Sequence, residues 1–223
     1  MNGTVVPVIA IDGPTASGKG TVAAQVARAL EFHYLDSGAL YRLVALAGLK
    51  SAILLDDGER LAAVARKLEA RFEDCEIVMD GEPVTDAIRS EECGNAASRI
   101  AALPAVRAAL LDRQRAFRRA PGLVADGRDM ASVVFPDASL KVFLTASPGV
   151  RADRRYKQLI EKGLDANISA ILQDIGERDA RDCARSVAPL QVARDALIVD
   201  STGLSIAQVV AQVLDYWRDR SKG

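Results

Sequence analysis

The chain has 223 residues, of which 26% are charged and 49% hydrophobic, and its formal net charge is −1. This length suits one α/β domain with insertions, and a nearly neutral chain gives no general reason to expect a nucleic-acid polymer as a partner. No apolar run is long enough to cross a bilayer, and Met1-Asn2-Gly3 leads almost directly into an apolar segment, so we expect neither a membrane span nor a signal peptide.

Apolar runs and helix-spaced apolar residues alternate along the chain. In chain order, the buried runs predict strands at 5–11, 32–35, 123–125, 140–144 and 196–200. The helical spacing predicts helices at 22–30, 41–46, 59–68, 95–100, 104–119, 147–163, 168–185 and 205–220. Ser37 is the expected cap of the second helix, and Ser205 with Gln208 has the spacing of a capping box.

Residues near 69–88 have a different pattern. Short alternating segments there surround Asp80-Gly81, which is a typical hairpin turn. We therefore expect a small antiparallel insertion in an otherwise parallel scheme.

The cysteines and the histidine restrict redox and metal chemistry. Cys75, Cys93 and Cys183 are far apart and form no C-x-x-C pair, and His33 is the one histidine. Neither a disulfide framework nor a zinc site is expected, and a reduced, cytoplasmic compartment is the default. We expect His33 to be structural rather than catalytic.

The first strand and the first helix are joined by a glycine-rich segment, Gly13-Pro14-Thr15-Ala16-Ser17-Gly18-Lys19-Gly20-Thr21. Glycines allow several backbone N–H groups to point at one spot, the helix N-terminus adds partial positive charge, and Lys19 adds a full charge. This is the layout of a phosphate-binding loop, and a nucleoside triphosphate is the expected ligand. In the usual pattern a hydroxyl residue follows the lysine, whereas here Gly20 does. We therefore expect no direct protein ligand for Mg²⁺, which would be held through water.

The fold class predicted from these elements is α/β: a P-loop doubly wound five-stranded parallel sheet with helices on both faces, the small antiparallel insertion and a helical lid. We expect one domain over residues 1–223, with the insertion near 69–88 and an arginine-rich lid near 151–185.

Polar clusters follow the predicted strands at the edge where such folds bind ligands. One begins at Asp36-Ser37-Gly38, and another is Asp126-Gly127-Arg128-Asp129. Asp126 directly follows an apolar strand, a position that commonly holds Mg²⁺ or its water shell in phosphate-loop enzymes.

Two helices contribute a third, cationic cluster: Arg151, Arg154 and Arg155 on one, and Arg178, Arg181 and Arg185 on the next, with Asp182 on the same surface as Arg178. The first trio could instead be an ordinary solvated face, and Arg178 with Asp182 a surface ion pair of little consequence.

Phosphoryl transfer accounts for so many arginines, because charge spreads over the phosphoryl oxygens and water must be excluded. We predict catalytic roles for Lys19, Asp126, Arg151, Arg154 and Arg155. The last three belong to a mobile lid with a flexing point at Gly163-Leu164-Asp165.

The motifs GPTASGKGT, LDSGALYR, NAAS, ADGRDM, VFPDA, ERDARD, RSVAPL and DSTGLSIAQV, in this order over nearly the whole chain, closely resemble bacterial-type cytidylate (CMP) kinases of the nucleoside monophosphate kinase superfamily. The resemblance implies transfer of the γ-phosphate of ATP to CMP or dCMP with Mg²⁺, in pyrimidine nucleotide metabolism, by a cytoplasmic and monomeric enzyme.

The resemblance also assigns residues. Gly13 to Thr21 would hold the ATP phosphates, with Lys19 bridging the transferred group. Binding of the acceptor CMP would fall to three sets: Arg42, Arg128 and Arg185 for its phosphate; Ser98, Arg107 and Asp129 for cytosine; Ser37, Arg178 and Asp182 around the nucleoside.

Three alternatives compete with this interpretation. The first is a kinase of the same architecture that acts on AMP, UMP or a non-nucleotide, against which DGRDM, Ser98 and Arg107 argue. The second is a GTP-dependent switch, which would need N-K-x-D and D-x-x-G motifs in places where the sequence has neither. The third is a non-catalytic nucleotide-binding regulator, which Lys19 and the arginine-rich lid make a poor fit.

Overall fold

The computed structural model describes residues 5–73 and 76–220. The chain divides into two compact units, one comprising residues up to Leu35 and from Ala116 onward, and the other Asp36–Arg115. Cys75 lies outside the described residues.

In chain order the strands are β1 (Val8–Asp12), β2 (His33–Asp36), β3 (Ala70–Glu73), β4 (Glu76–Met79), β5 (Glu82–Pro83), β6 (Leu123–Gly127), β7 (Leu140–Thr145) and β8 (Leu197–Asp200). The helices are α1 (Lys19–Leu30), α2 (Ser37–Lys50), α3 (Gly58–Lys67), α4 (Thr85–Arg89), α5 (Glu91–Ile100), α6 (Pro104–Arg115), α7 (Pro148–Glu161), α8 (Ile168–Cys183) and α9 (Ile206–Arg220), with a π-helical turn at Met130–Val134.

A five-stranded parallel sheet, in the order β2-β6-β1-β7-β8, forms the centre of the larger unit. Every residue of β1 and β6 is buried, as expected for central strands covered on both faces. Side chains of β1, β6, β7, α1 and α9 share one apolar core, against which Phe32 and Trp217 meet edge to face with ring centroids 5.6 Å apart. The predicted fold class is confirmed.

A three-stranded antiparallel sheet, β3-β4-β5, belongs to the smaller unit. Asp80 and Gly81 both have positive φ, at 53° and 83°, which is the conformation of the hairpin predicted there. The third strand is shorter than the pattern indicates, because Thr85 begins α4 and its hydroxyl accepts a hydrogen bond from the Ile77 N–H at 2.8 Å.

Two helix caps can be compared with the prediction. Ser205 and Gln208 form the expected capping box, with Gln208 N–H 3.3 Å from Ser205 Oγ and Ser205 N–H 2.9 Å from Gln208 Oε1. Ser37 is not the cap of α2: Asp36 takes that position, since its carboxylate accepts the Ala39 N–H at 2.9 Å. Every helix among the described residues is too short or too polar to span a bilayer.

Asp12, the last residue of β1, is a buried carboxylate that ties this strand to the chain after β6. Its side chain is 2% exposed and accepts the N–H groups of Met130 at 2.9 Å and Ala131 at 2.8 Å. Burial raises its pKa to about 6, and the Asp129 charge adds to the rise, while the two backbone bonds and Arg128 oppose it. At a given pH near these values, the Asp12 carboxyl is therefore protonated more often in the folded state than in the unfolded state.

We expect this carboxyl to make stability depend on pH with a defined sign. Because the folded pKa of about 6 lies above the ordinary 3.8, the contribution of Asp12 to stability is present below pH 3.8 and is lost as pH rises through about 6. Compared with Asp12→Asn, which cannot ionise there, the wild type should lose about 2 kcal/mol of unfolding free energy between pH 4 and 7. Urea unfolding of both proteins across this range measures the difference, and a pH-independent difference would contradict it.

Candidate active site

Two glycines determine the shape of the loop between β1 and α1. A Cβ on Gly13 would lie 2.0 Å from the Leu144 carbonyl oxygen, so no larger residue fits at the end of β1. Gly18 precedes α1 with φ of +88°, a conformation that glycine adopts without strain. The backbone thus turns from the strand into the helix as the sequence predicts.

Lys19 is the first residue of α1, and its side chain is buried against the loop. It is 9% exposed, and its Nζ donates to the Pro14 carbonyl at 3.2 Å. The ammonium group therefore lies inside the curve of the loop, where its charge attracts an anion more strongly than it would in bulk water.

Thr15, in the middle of the loop, is bonded by three other parts of the chain. Its hydroxyl accepts from Arg128 Nη2 at 3.1 Å, and its carbonyl accepts from Arg151 Nη1 at 2.9 Å. Its N–H donates to Asp179 Oδ1 at 3.0 Å. The segment after β6, helix α7 and helix α8 therefore all meet the loop at this one residue.

Arg151 and Arg154 lie against the loop and are not part of a solvated face. Arg151 is 6% exposed, and besides Thr15 it binds Asp179 Oδ2 at 2.5 Å and the Ala146 carbonyl at 3.0 Å. Arg154 donates to the Ser17 carbonyl at 3.2 Å and to the Ser201 hydroxyl and carbonyl at 3.0 and 2.6 Å.

Arg155, the third arginine of α7, has a more exposed contact. Its Nη1 lies 3.4 Å from Gln158 Oε1, one turn further along α7.

Asp182 joins two arginines in a buried cluster. Its Oδ2 accepts from Arg128 Nε at 2.7 Å, and its Oδ1 accepts from Arg185 Nη2. Burial alone would raise the pKa of Asp182, but the charges of Arg128 and Arg185 lower it. Burial likewise opposes the charged form of Arg128, whose pKa the carboxylates of Asp182, Asp126 and Asp179 raise. One carboxylate between two guanidinium groups leaves a net positive charge.

The structure differs from two sequence-based expectations about α8: the alternative of a surface ion pair between Arg178 and Asp182, and a helix that extends to Arg185. Arg178 is buried, but its Nε is bonded to Asp174 Oδ2 at 3.1 Å, one turn toward the N-terminus, and Asp182 pairs with Arg128 and Arg185. Arg185 lies beyond the end of α8, which stops at Cys183, so the cationic surface of this segment does not follow helical spacing alone.

Asp126 lies at the end of β6, buried beside the start of α1. Its Oδ2 accepts a hydrogen bond from the Tyr34 hydroxyl at 2.6 Å. Asp129, three residues on, is also buried and precedes the π-helical turn. Within the described ranges, no group of three or more His, Cys, Asp or Glu residues is arranged to hold a metal ion.

Four predicted site residues belong to the smaller unit. Ser37 is buried at the start of α2, and Ser98 is half-buried on α5. Arg42 on α2 donates to the Ile88 carbonyl at 2.6 Å, and the buried Arg107 on α6 donates to the Ala101 carbonyl at 3.3 Å.

Sequence reasoning missed Asp12, Tyr34 and Asp179. Asp12 carried a usable signal, since it is an acidic residue directly before the phosphate loop. Tyr34 and Asp179 carried none, because their partners are 92 and 164 residues away in the sequence.

The arrangement in the larger unit can bind a polyanion and neutralise its charge. A loop with a buried lysine meets three arginines, and one of these, Arg128, shares the buried carboxylate of Asp182 with a fourth, Arg185. Such preorganised cations stabilise the charge that develops during phosphoryl transfer.

Comparisons with known proteins agree with this chemistry. A family model described as cytidylate kinase matches residues 9–219. The cytidylate kinase of Bordetella bronchiseptica is 60% identical over 212 residues, which are 95% of each chain, and that of Nitrosococcus oceani is 57% identical over 217 residues, 95% of this chain and 96% of the relative. A solved gluconokinase from Sinorhizobium meliloti 1021 has a TM-score of 0.48 at 18% identity, covering 96% of this chain and 92% of the other. The sequence relatives and the family model confirm the resemblance drawn from the motifs: the chain belongs to the cytidylate kinase family.

Proposed function

We propose that this chain transfers the γ-phosphate of ATP to CMP, and to dCMP, in pyrimidine nucleotide metabolism. The observation that supports this most directly is the cluster of the half-buried Arg128 with the buried Asp182 and Arg185, bonded through Arg128 to Thr15 of the phosphate loop. A second anion site beside the loop is what an acceptor with its own phosphate requires. The names of the relatives agree with this acceptor.

On the donor side, Gly13 to Thr21 bind the ATP phosphates, and Lys19 bridges to the transferred group. Asp126 fits a Mg²⁺ ion that arrives with the nucleotide, because a carboxylate oxygen suits this hard cation and the protein commonly supplies one or two carboxylates while phosphates supply the rest. Arg151, Arg154 and Arg155 belong to the lid that neutralises charge and excludes water.

On the acceptor side, Arg128 and Arg185 bind the phosphate of CMP, Asp129 accepts from the cytosine amino group, and Arg178 and Asp182 lie around the nucleoside. In the smaller unit, Arg42 is assigned to the phosphate, Ser98 and Arg107 to cytosine, and Ser37 to the nucleoside. A single kinase domain, a monomeric state and a cytoplasmic location complete the proposal.

The activity is tested by incubating the purified protein with ATP, Mg²⁺ and each of CMP, dCMP, UMP, AMP and GMP, and measuring ADP release. We expect rapid release with CMP and dCMP. Fast release with AMP or UMP and none with CMP would assign a different acceptor. Release without any monophosphate would indicate an ATPase, and no release at all would leave no support for a kinase.

Replacement of Lys19 by Ala should lower kcat roughly 10³-fold or more, since this cation acts on the transferred group in the transition state. Lys50→Ala is a matched control, because Lys50 is an exposed lysine whose ion pair is with Glu82. Steady-state turnover of both variants measures the effect. A decrease in kcat of less than about tenfold for Lys19→Ala would contradict the proposed role of this lysine.

Arg185→Ala should raise the KM for CMP roughly 30-fold or more while the KM for ATP changes little, because the variant removes a cation from the acceptor site and leaves Asp182 with one partner fewer. Arg181→Ala is the control on the same segment, since Arg181 is more exposed and lies 3.9 Å from Glu177. Equal losses for both substrates would contradict the division into donor and acceptor sides.

Asp129→Ala should erode the preference for CMP over UMP. Cytosine offers an amino donor where uracil has a carbonyl, so a buried carboxylate rejects uracil through an unpaired acceptor. The ratio of kcat/KM for the two substrates should fall roughly tenfold or more, with Asp137→Ala, an exposed carboxylate paired with Arg118, as the control. An unchanged ratio would indicate that residues other than Asp129 recognise the base.

A further inference from the structure

The carboxylate of Asp126 is held by a phenol that is itself rigidly placed. Tyr34 lies on β2, the strand next to β6 in the sheet, and its ring packs against the apolar core. Its hydroxyl donates to Asp126 Oδ2 at 2.6 Å, the length of a strong hydrogen bond to an ionised acceptor. Because the strand and the packing fix the ring, the phenol fixes the orientation of the carboxylate.

Gly20 provides the space for this pair. A Cβ at position 20 would lie 3.2 Å from Asp126 Oδ2, which is closer than an ordinary contact, and 3.6 Å from the Tyr34 hydroxyl, which is an ordinary contact distance. The Tyr34 hydroxyl is also 3.5 Å from the Gly20 carbonyl oxygen. The carboxylate and phenol therefore adjoin the space where the usual phosphate loop carries a serine or threonine side chain.

We propose that Tyr34 is a positioning residue for the Mg²⁺-nucleotide: its phenol holds Asp126 against Gly20 in the orientation that the hydrated metal requires. The inference rests on the proposed function for the nucleotide and its metal. Tyr34 acts through Asp126. Residues that orient a metal-binding carboxylate in this way commonly change metal affinity by 10- to 100-fold when they are replaced.

A role in packing alone predicts a different result. Tyr34→Phe keeps the ring and its contacts with the core and removes one hydroxyl. If Tyr34 only packs, this change should leave the effect of Mg²⁺ on nucleotide binding unaltered.

The decisive measurement is the affinity for ADP by titration calorimetry, with Mg²⁺ and with EDTA in its place. In the wild type, Mg²⁺ should tighten ADP binding, and Tyr34→Phe should reduce this tightening about tenfold while the affinity in EDTA stays within about twofold. Asp126→Asn sets the size of the full effect. Tyr216→Phe is the matched control, because Tyr216 is also a half-buried tyrosine packed on the same core, with its hydroxyl 3.0 Å from Gln212 Nε2, and it should behave like the wild type.

Gly20→Ala gives a second approach that leaves Tyr34 intact. The added methyl group should displace Asp126, so this variant too should lose Mg²⁺-dependent tightening. Two results would overturn the inference: full tightening in Tyr34→Phe when Asp126→Asn has lost it, or equal weakening in Mg²⁺ and in EDTA. Neither result tests the identity of the acceptor. If the proposed function were wrong, the wild-type protein would fail to phosphorylate CMP, which is a separate observation.

Discussion

The parallel pairing of β1 with β6 is the constraint on which the site depends. The register places Ile11 opposite Asp126 and Asp12 opposite Gly127, so the phosphate loop and the segment from Arg128 onward leave the sheet side by side. Residues more than 100 positions apart in the sequence become neighbours because parallel strands end at the same edge. Asp12 strengthens this junction by accepting two N–H groups of the π-helical turn, and its raised pKa is the cost of burying a carboxylate there.

A second constraint is charge balance among the arginines. Arg151 is paired with Asp179, and Arg128 and Arg185 share Asp182, so each of these guanidinium groups has a carboxylate partner within the larger unit. Buried ion pairs of this kind contribute little net stability, since desolvation offsets their attraction. Their value lies in geometry: each guanidinium is held in one orientation before any anion binds, so that little reorganisation remains for the chemical step.

Part of this site could be predicted from the sequence, and the physical reasons for success and failure differ. The phosphate loop and the carboxylate at Asp126 could be predicted, because glycine spacing and an acidic residue after an apolar run are local patterns. The ion-pair partner of a charged side chain is not determined by local sequence. Helical periodicity allows Arg178 to pair with Asp174 or with Asp182, four residues away on either side. In the structure, Arg178 pairs with Asp174. Asp182 binds Arg128, which lies in the segment after β6.

The same distinction applies to the fold. The five parallel strands were predicted close to their observed positions because buried strands give continuous apolar runs. The π-helical turn was not predicted, since its five residues are too few to show a periodicity and it is tied to Asp12 by the backbone N–H groups of Met130 and Ala131. The identities of Met130 and Ala131 gave no signal for this turn, because they contribute only their backbone N–H groups to it.

Gly20 illustrates how a departure from a motif is explained by its surroundings. The sequence alone suggests that the hydroxyl has moved one place, to Thr21. Successive residues on a helix point about 100° apart, and Thr21 is exposed on α1, so its side chain cannot occupy the position that a residue at 20 would fill. That position adjoins Asp126 Oδ2 and the Tyr34 hydroxyl. The absence of a side chain at position 20 therefore leaves room for the close approach of this carboxylate.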